Sequence, residues 1–396
     1  MSTPTPPLRK AGRAALVVGL VLAAYGGGVL TGVVGSRGGE TPAASGVLDE
    51  AADRIMADAA RPVSREQLDR AAVEGMLKAL GDRWSSYFQA SEYTSFQAGL
   101  DGRYSGIGVW LRSAQDGEVY LGSVQPGSPA DTAGLVAGDR LVAVGGDEVG
   151  SLSLSKVAAK LRGDAGTRLR LTVERDGQPV SISVRRDELA SDDVEVTRLK
   201  GDVEVVRITA FTRGVGAAVR KAVDASTAAG QGASSGVVLD LRGNPGGLLT
   251  EAVEVASAFL DGGAVVSYEK RGEPVHHLDA VGTGDTTVPV VVLVDGGTAS
   301  AAEVVAAALQ DRNRAVVVGS RTYGKGSVQE PKALSDGSAI ELTVGRYLTP
   351  SGRSIDGVGI EPDVAVASRA GAATAEQRAL EVLRGLVAAS DGVTRG

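Results

Sequence analysis

One serine of this sequence lies in a pattern that is typical of a catalytic nucleophile. The run VPVVVLVDGGTASAAEVVAAALQD, residues 288–311, indicates a buried strand, a tight turn at Gly296 and Gly297, and a helix that begins close to Ser300. A strand-to-helix turn exposes a serine side chain, and the helix N-terminus offers free N–H groups to a developing oxyanion. Taken alone, the same string predicts a plain helix N-cap.

A lysine further along the chain has the properties of a proton acceptor for that serine. Lys325 lies between Gly324 and Gly326, after the apolar strand RAVVVG, where a lysine that only contacts solvent needs no flanking glycines. A lysine in a poorly hydrated site loses its charge more easily and can then accept a hydroxyl proton. The only two histidines, His276 and His277, are adjacent, which favours an exposed loop or strand edge. If the chain is an enzyme, a carboxylate or a lysine therefore has to move the proton, and the shortage of histidine favours lysine as the base of a serine hydrolase.

Composition excludes several other classes of function. The 396-residue chain has 43% hydrophobic and 22% charged residues, which is the balance of a folded protein long enough for two domains. It contains no cysteine, so disulfides, thiolate nucleophiles and zinc–thiolate sites are excluded. Its 48 acidic residues outnumber the 41 basic ones, and no basic run occurs beyond the N-terminus, so we do not expect a nucleic-acid partner. No metal ion or cofactor is predicted.

The N-terminal residues predict a membrane anchor. Arg9, Lys10 and Arg13 precede residues 14–34, which carry no charge. That stretch is long enough for a bilayer core, which requires roughly 20 apolar residues. Positive residues before the span place the N-terminus in the cytoplasm and the rest of the chain outside. A cleaved signal peptide is the competing interpretation, but the apolar run is long and no clear A-x-A site follows it closely. We therefore expect a single-pass protein of the cell membrane with an extracytoplasmic folded part.

Helical patterns follow a short linker. Residues 36–46 are small, polar and turn-forming, as expected for a tether. Between Val47 and Leu80 the apolar positions recur at helical spacing, with a break at Arg61-Pro62, which predicts two amphipathic helices. Such helices either cap a core or pair with another subunit, and the sequence is compatible with both arrangements, so a homo-oligomer stays an open alternative.

The rest of the chain changes from β-rich to mixed patterns. Short β-rich runs separated by turn signals extend from Tyr104 to Arg186, interrupted by a predicted helix from Leu154 to Leu161. After residue 236, apolar runs typical of buried strands are each followed by Gly-rich turns or a helical stretch, which indicates an α/β core. A last helix is predicted from Thr374 to Ala389.

Residues 104–188 resemble a bacterial PDZ domain. The matching strings occur in the expected order: SGIGV at 105–109, VQPGSPADTAGLVAGDRLVAVGGDEV at 124–149, and the helix around 157–161. The glycines of the first string let a loop turn its backbone N–H groups toward an incoming C-terminal carboxylate, and the peptide then adds as a strand to the exposed sheet edge. The predicted carboxylate-binding loop consists of Ser105, Gly106, Ile107 and Gly108.

The C-terminal half resembles the carboxyl-terminal processing peptidases, also called tail-specific proteases. The matching strings are VVLDLRGNPGGLLTEAVEVASAFL (237–260), GGTASAAEVVAAALQDRNRAVVVGSRTYGKGSVQ (296–329) and LTVGRYLTPSGRSIDGVGIEPDV (342–364). With the PDZ domain and GMLKALGDRWSSYF (75–88), the similarity covers roughly residues 47–365. The resemblance implies an α/β catalytic core of ClpP/crotonase-like β-β-α repeats with an inserted β-rich PDZ domain, N-terminal helices and one transmembrane helix.

The resemblance also implies roles for single residues. It places the nucleophile on Ser300, the general base on Lys325 and a base-orienting glutamine on Gln329. The oxyanion donors are then expected in the backbone of Ala301 and in the NPGG turn, at Gly246 or Gly247. Glycine suits that turn because it lets a backbone N–H group approach a ligand closely.

The expected function is endoproteolysis of proteins with accessible C-terminal tails. A catalytically silent PDZ adaptor is the alternative from another class, and Ser–Lys amidase or transpeptidase chemistry on cell-wall precursors is a third reading that needs no PDZ domain. The joint presence of the serine, lysine, glutamine and NPGG turn argues against a silent adaptor. The predicted segments are 1–35 cytoplasmic stub and anchor, 36–46 linker, 47–103 helical region, 104–188 PDZ domain, 189–368 Ser–Lys peptidase core and 369–396 C-terminal helix and tail.

Overall fold

The computed structural model describes residues 46–113, 118–150, 152, 154–227, 234–367 and 371–393. These residues belong to two compact units, and the division falls between Met76 and Leu77. The membrane span predicted at 14–34 lies outside the described residues. Among the helices of the described ranges, none has the length and apolar character needed to cross a bilayer.

The first unit contains helix α1 (Gly46–Asp58) and most of helix α2 (Arg65–Ala79). The predicted break between two helices at Arg61-Pro62 is confirmed, and the residue before a proline is disfavoured in the helical conformation. Arg65 donates a hydrogen bond to the Asp49 carboxylate and so joins the two helices. Both groups are exposed, so this ion pair adds little to stability.

The second unit begins with a strand and a helix and then forms the β-rich domain predicted at 104–188. In chain order the elements are β1 (Ser86–Phe88), α3 (Ala90–Leu100), β2 (Arg103–Gly106), β3 (Val109–Ser113), β4 (Val119–Val124), α4 (Pro129–Thr132), β5 (Arg140–Val144), β6 (Asp147–Glu148), α5 (Leu154–Leu161), β7 (Arg168–Arg175), β8 (Gln178–Arg185) and β9 (Asp187–Ala190). The PDZ sheet has the order β3-β4-β5-β7-β8, with β6 paired to β5. Strands β2 and β9 pair where the chain enters and leaves the domain. The predicted helix α5 is confirmed.

The remaining elements form the mixed α/β core. In chain order they are β10 (Val194–Leu199), β11 (Val203–Ile208), α6 (Val215–Thr227), β12 (Gly236–Asp240), α7 (Leu249–Ser257), β13 (Ala264–Lys270), β14 (His276–Asp279), β15 (Val290–Val294), α8 (Ala301–Asp311), β16 (Val316–Gly319), β17 (Ser327–Ala333), β18 (Ala339–Leu348), β19 (Val364–Ala365) and α9 (Ala372–Val393). One sheet has the order β10-β11-β12-β15-β16-β19, and only its first pair is antiparallel. A second sheet has the order β1-β18-β13-β14, with β17 also paired to β18.

Both faces of the six-stranded sheet are buried, which explains the continuous apolar runs in the sequence. Successive side chains of a strand point to opposite faces. In β15, Val290 and Val292 pack with the core that includes α6, α7 and α8, whereas Val291 and Leu293 pack with Leu383 of α9. The sheet is therefore a central layer between helices, with α9 alone on one side among the described helices. Whether this layer is the β-β-α repeat of the ClpP/crotonase type stays a prediction.

The sheet order brings three loops to one edge. Strands β12, β15 and β16 are neighbours and parallel, so their carboxyl ends lie side by side. The chain continues from these ends into residues 241–248, 295–300 and 320–326. These three loops contain the NPGG turn, Ser300 and Lys325. In open α/β sheets the carboxyl edge of the strands is the usual place for a binding site.

Candidate active site

Ser300 has an unusual backbone conformation at the start of α8. It is the N-cap residue of that helix, with φ 55° and ψ −121°. Positive φ is rare outside glycine and costs on the order of 1–3 kcal/mol, so it persists only where surrounding contacts impose it. Here the N–H of Ser300 donates to Glu303 Oε2 at 2.9 Å, and the N–H of the preceding Ala299 donates to the Asn244 carbonyl at 2.9 Å. The half-buried serine is thus held in a strained turn between a buried strand and a helix.

The NPGG turn packs directly against that serine. A Cβ atom on Gly246 would lie 2.9 Å from Ser300 Cβ and 3.0 Å from the backbone nitrogen of Ala301, so only glycine fits there. The N–H of Ala301 has no acceptor within the described ranges. An N–H group without an acceptor at a helix N-terminus, next to a nucleophile, is the arrangement of an oxyanion hole. The structure therefore brings the expected donor residues Gly246 and Ala301 to Ser300.

The buried side chain of Asn244 stabilises the NPGG turn through two hydrogen bonds. Its side chain is fully buried, donates from Nδ2 to the Ile208 carbonyl at 2.9 Å, and accepts the N–H of Gly246 on Oδ1 at 2.8 Å. The Gly246 N–H group is consequently occupied in this structure. Gly247 is exposed, and its N–H has no acceptor in the described part of the chain. The oxyanion roles of these residues stay a prediction.

Lys325 lies close to Ser300 by its backbone, and its ammonium group faces an aromatic ring. Its Nζ atom lies 5.0 Å from the centroid of the Trp84 ring, a distance at which a cation is attracted to the ring face. No hydrogen bond joins Nζ to Ser300 Oγ in the residues that the structure covers. The flanking glycine has a steric reason, because a Cβ atom on Gly326 would lie 2.4 Å from the backbone nitrogen of Asp356.

Gln329 lies on β17, four residues after the lysine. Its Nε2 group donates to Ser327 Oγ at 2.7 Å and to Thr343 Oγ1 at 3.1 Å. No hydrogen bond from Gln329 to Lys325 occurs among the described residues. The structure thus places the glutamine on the strand that follows the lysine loop, and its base-orienting role stays a prediction.

Glu303 is a site residue that the sequence interpretation missed. Its side chain is fully buried in the first turn of α8. It accepts hydrogen bonds from the backbone N–H groups of Ser300, Gly324 and Lys325, at 2.9, 2.8 and 2.9 Å, and from the Thr322 hydroxyl. The pattern S-A-A-E at 300–303 is that of a capping box, a signal that predicts the contact between Glu303 and Ser300 but not the contacts with the lysine loop.

A second carboxylate lies near the lysine. Burial raises the pKa of Glu341 above its usual range, against the opposing effects of the Lys325 charge and a hydrogen bond from Ser86. Glu341 is on β18, and its Oε2 accepts from Ser86 Oγ at 3.4 Å. The positive charge of Lys325 favours the carboxylate form of Glu341, although burial has the larger effect on its pKa.

The PDZ loop has free donors where a peptide carboxylate is expected. Ser105 Oγ donates to the Gly163 carbonyl at 2.6 Å, and Gly106 pairs with Asp187 in the β2–β9 ladder. The backbone N–H groups of Ile107 and Gly108 have no acceptor in the described ranges. Successive backbone N–H groups that point the same way can bind an anion, and carboxylate binding by this loop stays a prediction. The next strand, β3, pairs only with β4 in the described sheet, so its other edge beside α5 is open.

Comparisons with known proteins show which family this chain resembles. The model of the peptidase family S41 matches residues 202–366, and the model of the PDZ domain matches residues 120–175. The carboxy-terminal processing protease CtpA of Bacillus subtilis is 33% identical over 319 residues, which are 80% of this chain and 68% of that protein. The carboxy-terminal-processing protease of Bartonella bacilliformis is 37% identical over 307 residues, which are 76% of this chain and 70% of that protein.

A solved structure is similar over much of the chain. The photosystem II D1 C-terminal processing protease has a TM-score of 0.50 and 31% identity, covering 80% of this chain and 86% of that chain. The S41 core, the PDZ domain and these relatives together define a serine protease with a PDZ domain. The chain belongs to the carboxy-terminal processing proteases of peptidase family S41. The resemblance found in the sequence is thereby confirmed.

Proposed function

We propose that this chain is a membrane-anchored, extracytoplasmic endopeptidase that recognises protein C-termini with its PDZ domain and cleaves with Ser300 as nucleophile and Lys325 as general base. The observation that carries the proposal is the strained backbone of Ser300, a non-glycine residue at φ 55° next to the free N–H of Ala301. Strain of this kind concentrates at catalytic turns, whereas a serine that only caps a helix has an extended backbone.

The chemistry needs two proton transfers through the lysine. Neutral Lys325 accepts the Ser300 hydroxyl proton while Oγ attacks the scissile carbonyl, and the N–H of Ala301 stabilises the oxyanion that forms. The resulting ammonium then protonates the leaving amine, which completes the acyl-enzyme. In the second half of the reaction, Lys325 accepts a proton from the attacking water and returns it to Ser300 Oγ as the ester bond breaks. The free serine is thereby restored.

The lysine side chain has to move before this reaction. Its ammonium group lies over the Trp84 ring, and a ring face attracts the charged form more than the neutral form. The backbones of Ser300 and Lys325 are already close, because both N–H groups donate to the same carboxylate oxygen of Glu303. Rotation of the lysine side chain away from Trp84 is therefore the step that completes the dyad.

Substrate capture is proposed in the PDZ domain. The free N–H groups of Ile107 and Gly108 would hold the terminal carboxylate, and the tail would add to the open edge of β3. The predicted single span at 14–34, with Arg9, Lys10 and Arg13 before it, supports an extracytoplasmic location for both domains.

The absence of a hydrogen bond between Lys325 Nζ and Ser300 Oγ in the described ranges is the one observation that favours the alternative, a silent PDZ adaptor. The decisive experiment incubates the full chain, in detergent, with a disordered protein that ends in apolar residues and carries either a free C-terminal carboxylate or a C-terminal amide. We expect cleavage of the free acid, slower cleavage of the amide, and none by the Ser300→Ala variant. Binding of the free acid without cleavage by the wild-type chain would establish the adaptor instead.

A peptidoglycan-type substrate in the same assay tests the third reading. Cleavage of that substrate in place of the disordered protein would contradict the proposed substrate class. Equal rates for the acid and amide forms would show that the PDZ domain does not read C-termini.

A further inference from the structure

Glu303 is a buried charge without a cationic partner. None of the lysine or arginine side chains in the described ranges forms an ion pair with its carboxylate. A carboxylate in such a place is costly unless hydrogen bonds replace its hydration. Glu303 obtains four of them, and all four donors belong to the nucleophile turn or to the loop that carries the lysine.

Each carboxylate oxygen of Glu303 accepts two of these four hydrogen bonds, and Oε2 alone joins the Ser300 and Lys325 backbones. Oε2 accepts the N–H of Ser300 and the N–H of Lys325, each at 2.9 Å. Two nitrogens that share one acceptor oxygen cannot be further apart than twice that distance. Oε1 accepts the N–H of Gly324 at 2.8 Å and the hydroxyl of Thr322, which in turn accepts the N–H of Ile360 at 2.6 Å. A single side chain therefore fixes the separation of the two catalytic backbones.

We propose that Glu303 is a positioning residue that sets the distance between the nucleophile and the base, an inference that rests on the proposed Ser300–Lys325 mechanism. It does not act as a base, because its oxygens face backbone N–H groups and the Thr322 hydroxyl. Its role is to keep the Lys325 backbone in one place while the lysine side chain rotates between Trp84 and Ser300. It also holds the Ser300 N–H and so contributes to the strained turn.

The chain contains a matched control. Glu251 lies in the first turn of α7, is 7% exposed, and accepts the N–H groups of Gly214 and Gly216 at 3.0 and 2.9 Å. It thus has the same helix position, similar burial and the same kind of donors as Glu303. Its donors belong to the start of α6, and neither is part of the proposed dyad. Replacing either glutamate by glutamine puts an NH₂ group against a backbone N–H.

The experiment compares Glu303→Gln with Glu251→Gln in the full chain. Cleavage of a fluorescently labelled disordered protein gives kcat and KM, and a thermal melt gives Tm. We expect both variants to lower Tm by similar amounts, on the order of a few degrees. Only Glu303→Gln should lower kcat, by about 100-fold, because a small misplacement of reacting groups has an effect of that size, while its KM stays within about twofold.

Two outcomes overturn the inference. One is a kcat for Glu303→Gln within about threefold of wild type, and the other is an equal loss of kcat in Glu251→Gln, which would show that lost stability alone explains the effect. If Glu303→Gln does not fold, Glu303→Asp keeps the charge but shortens the reach, and it should show the same loss of kcat. Failure of the proposed function itself is recognised separately, because either the wild-type chain would then show no cleavage or Ser300→Ala would retain it.

Discussion

Two of the serines that begin helices in this molecule differ in their backbone conformation. Ser128 precedes α4 with φ −72° and ψ 165°, and its Oγ accepts the N–H of Asp131 at 3.3 Å. Ser300 precedes α8 with φ 55° and ψ −121°. In sequence the two look alike, since each follows a glycine-containing turn and begins a helix. Backbone conformation therefore separates the serine that caps α4 from the proposed nucleophile.

The difference also shows how each turn is stabilised. Ser128 is buried in a relaxed extended conformation, with Pro129 at the first helical position, where its fixed φ suits the helix. Ser300 is held by groups outside its own turn, namely the Glu303 carboxylate and, through Ala299, the Asn244 carbonyl. A strained catalytic turn needs such external contacts, whereas an ordinary cap is stable by itself.

Loss of chemistry at Ser300 is the largest expected effect. Ser300→Ala and Lys325→Ala should each lower kcat/KM by about four orders of magnitude or more, because no other side chain does either step. Both variants should still bind a free C-terminal tail and melt close to the wild-type temperature. Substantial remaining proteolysis in either variant would remove the distinction between Ser300 and a capping serine.

Release of backbone strain is the next effect in size. Ser300→Gly should raise the free energy of unfolding by about 1 kcal/mol, because glycine adopts positive φ without a steric cost. Ser128→Gly should lower the free energy of unfolding by a few tenths of a kcal/mol. This variant loses the cap hydrogen bond, and the φ of −72° at this position holds no strain that glycine could relieve. Denaturant titration of the two variants measures both values. The same sign for both would show that the Ser300 turn is not strained.

The cap hydrogen bond is tested by alanine. Ser128→Ala should lower the free energy of unfolding by about 1 kcal/mol, because the N–H of Asp131 loses its acceptor. Ser300→Ala serves as the comparison and should change stability by less, since Glu303 still accepts the Ser300 N–H group. A larger loss at Ser300 than at Ser128 would mean that its hydroxyl serves mainly as a cap.

The pH profile should show the smallest effect. Glu341→Gln removes a negative charge near Lys325, so the rise of kcat/KM with pH should move to lower pH by a few tenths of a unit. A His276→Gln, His277→Gln double variant should leave that rise in place, because His276 lies on the edge strand β14 and His277 is exposed there. A shift in the double variant alone would contradict lysine as the base.

Glu341 also has a predictable effect on stability. Burial raises its pKa, so the folded state binds this proton more tightly than the unfolded state does. Stability attributable to Glu341 is then highest below its ordinary pKa and falls as the pH rises through the raised value. Glu341→Gln should accordingly be more stable than wild type at neutral pH, with the gain disappearing in acid. A gain that persists at low pH would contradict this direction.

The sequence predicted the local features well because they depend on short-range patterns. Helix α5 spans Leu154–Leu161 as predicted, and the last helix, predicted from Thr374 to Ala389, runs from Ala372 to Val393. The turn with Ser300 follows from an apolar strand, two glycines and an alanine-rich helix. Each of these signals lies within a few residues of the element that it predicts.

The contacts of the site were harder to predict because they join distant segments. The Trp84 ring that faces the Lys325 ammonium is far away in sequence, and no spacing rule links the two. The bond between Asn244 and the Gly246 N–H is local, but it depends on a side-chain rotamer that the NPGG string does not specify. Glu303 was visible as a capping residue, yet its bonds to the lysine loop exist only in the folded core.

Because β12 and β15 are paired neighbours, the chain between them can change in length while their spacing stays the same. The loops after β12 and β15 meet at one sheet edge, although α7, β13 and β14 lie between them in the chain. Insertions in the turn at residues 271–275, before the edge strand β14, lengthen the polypeptide without changing the spacing of β12 and β15. An insertion at that turn can therefore add a new binding surface without moving the loops that contain the NPGG turn and Ser300.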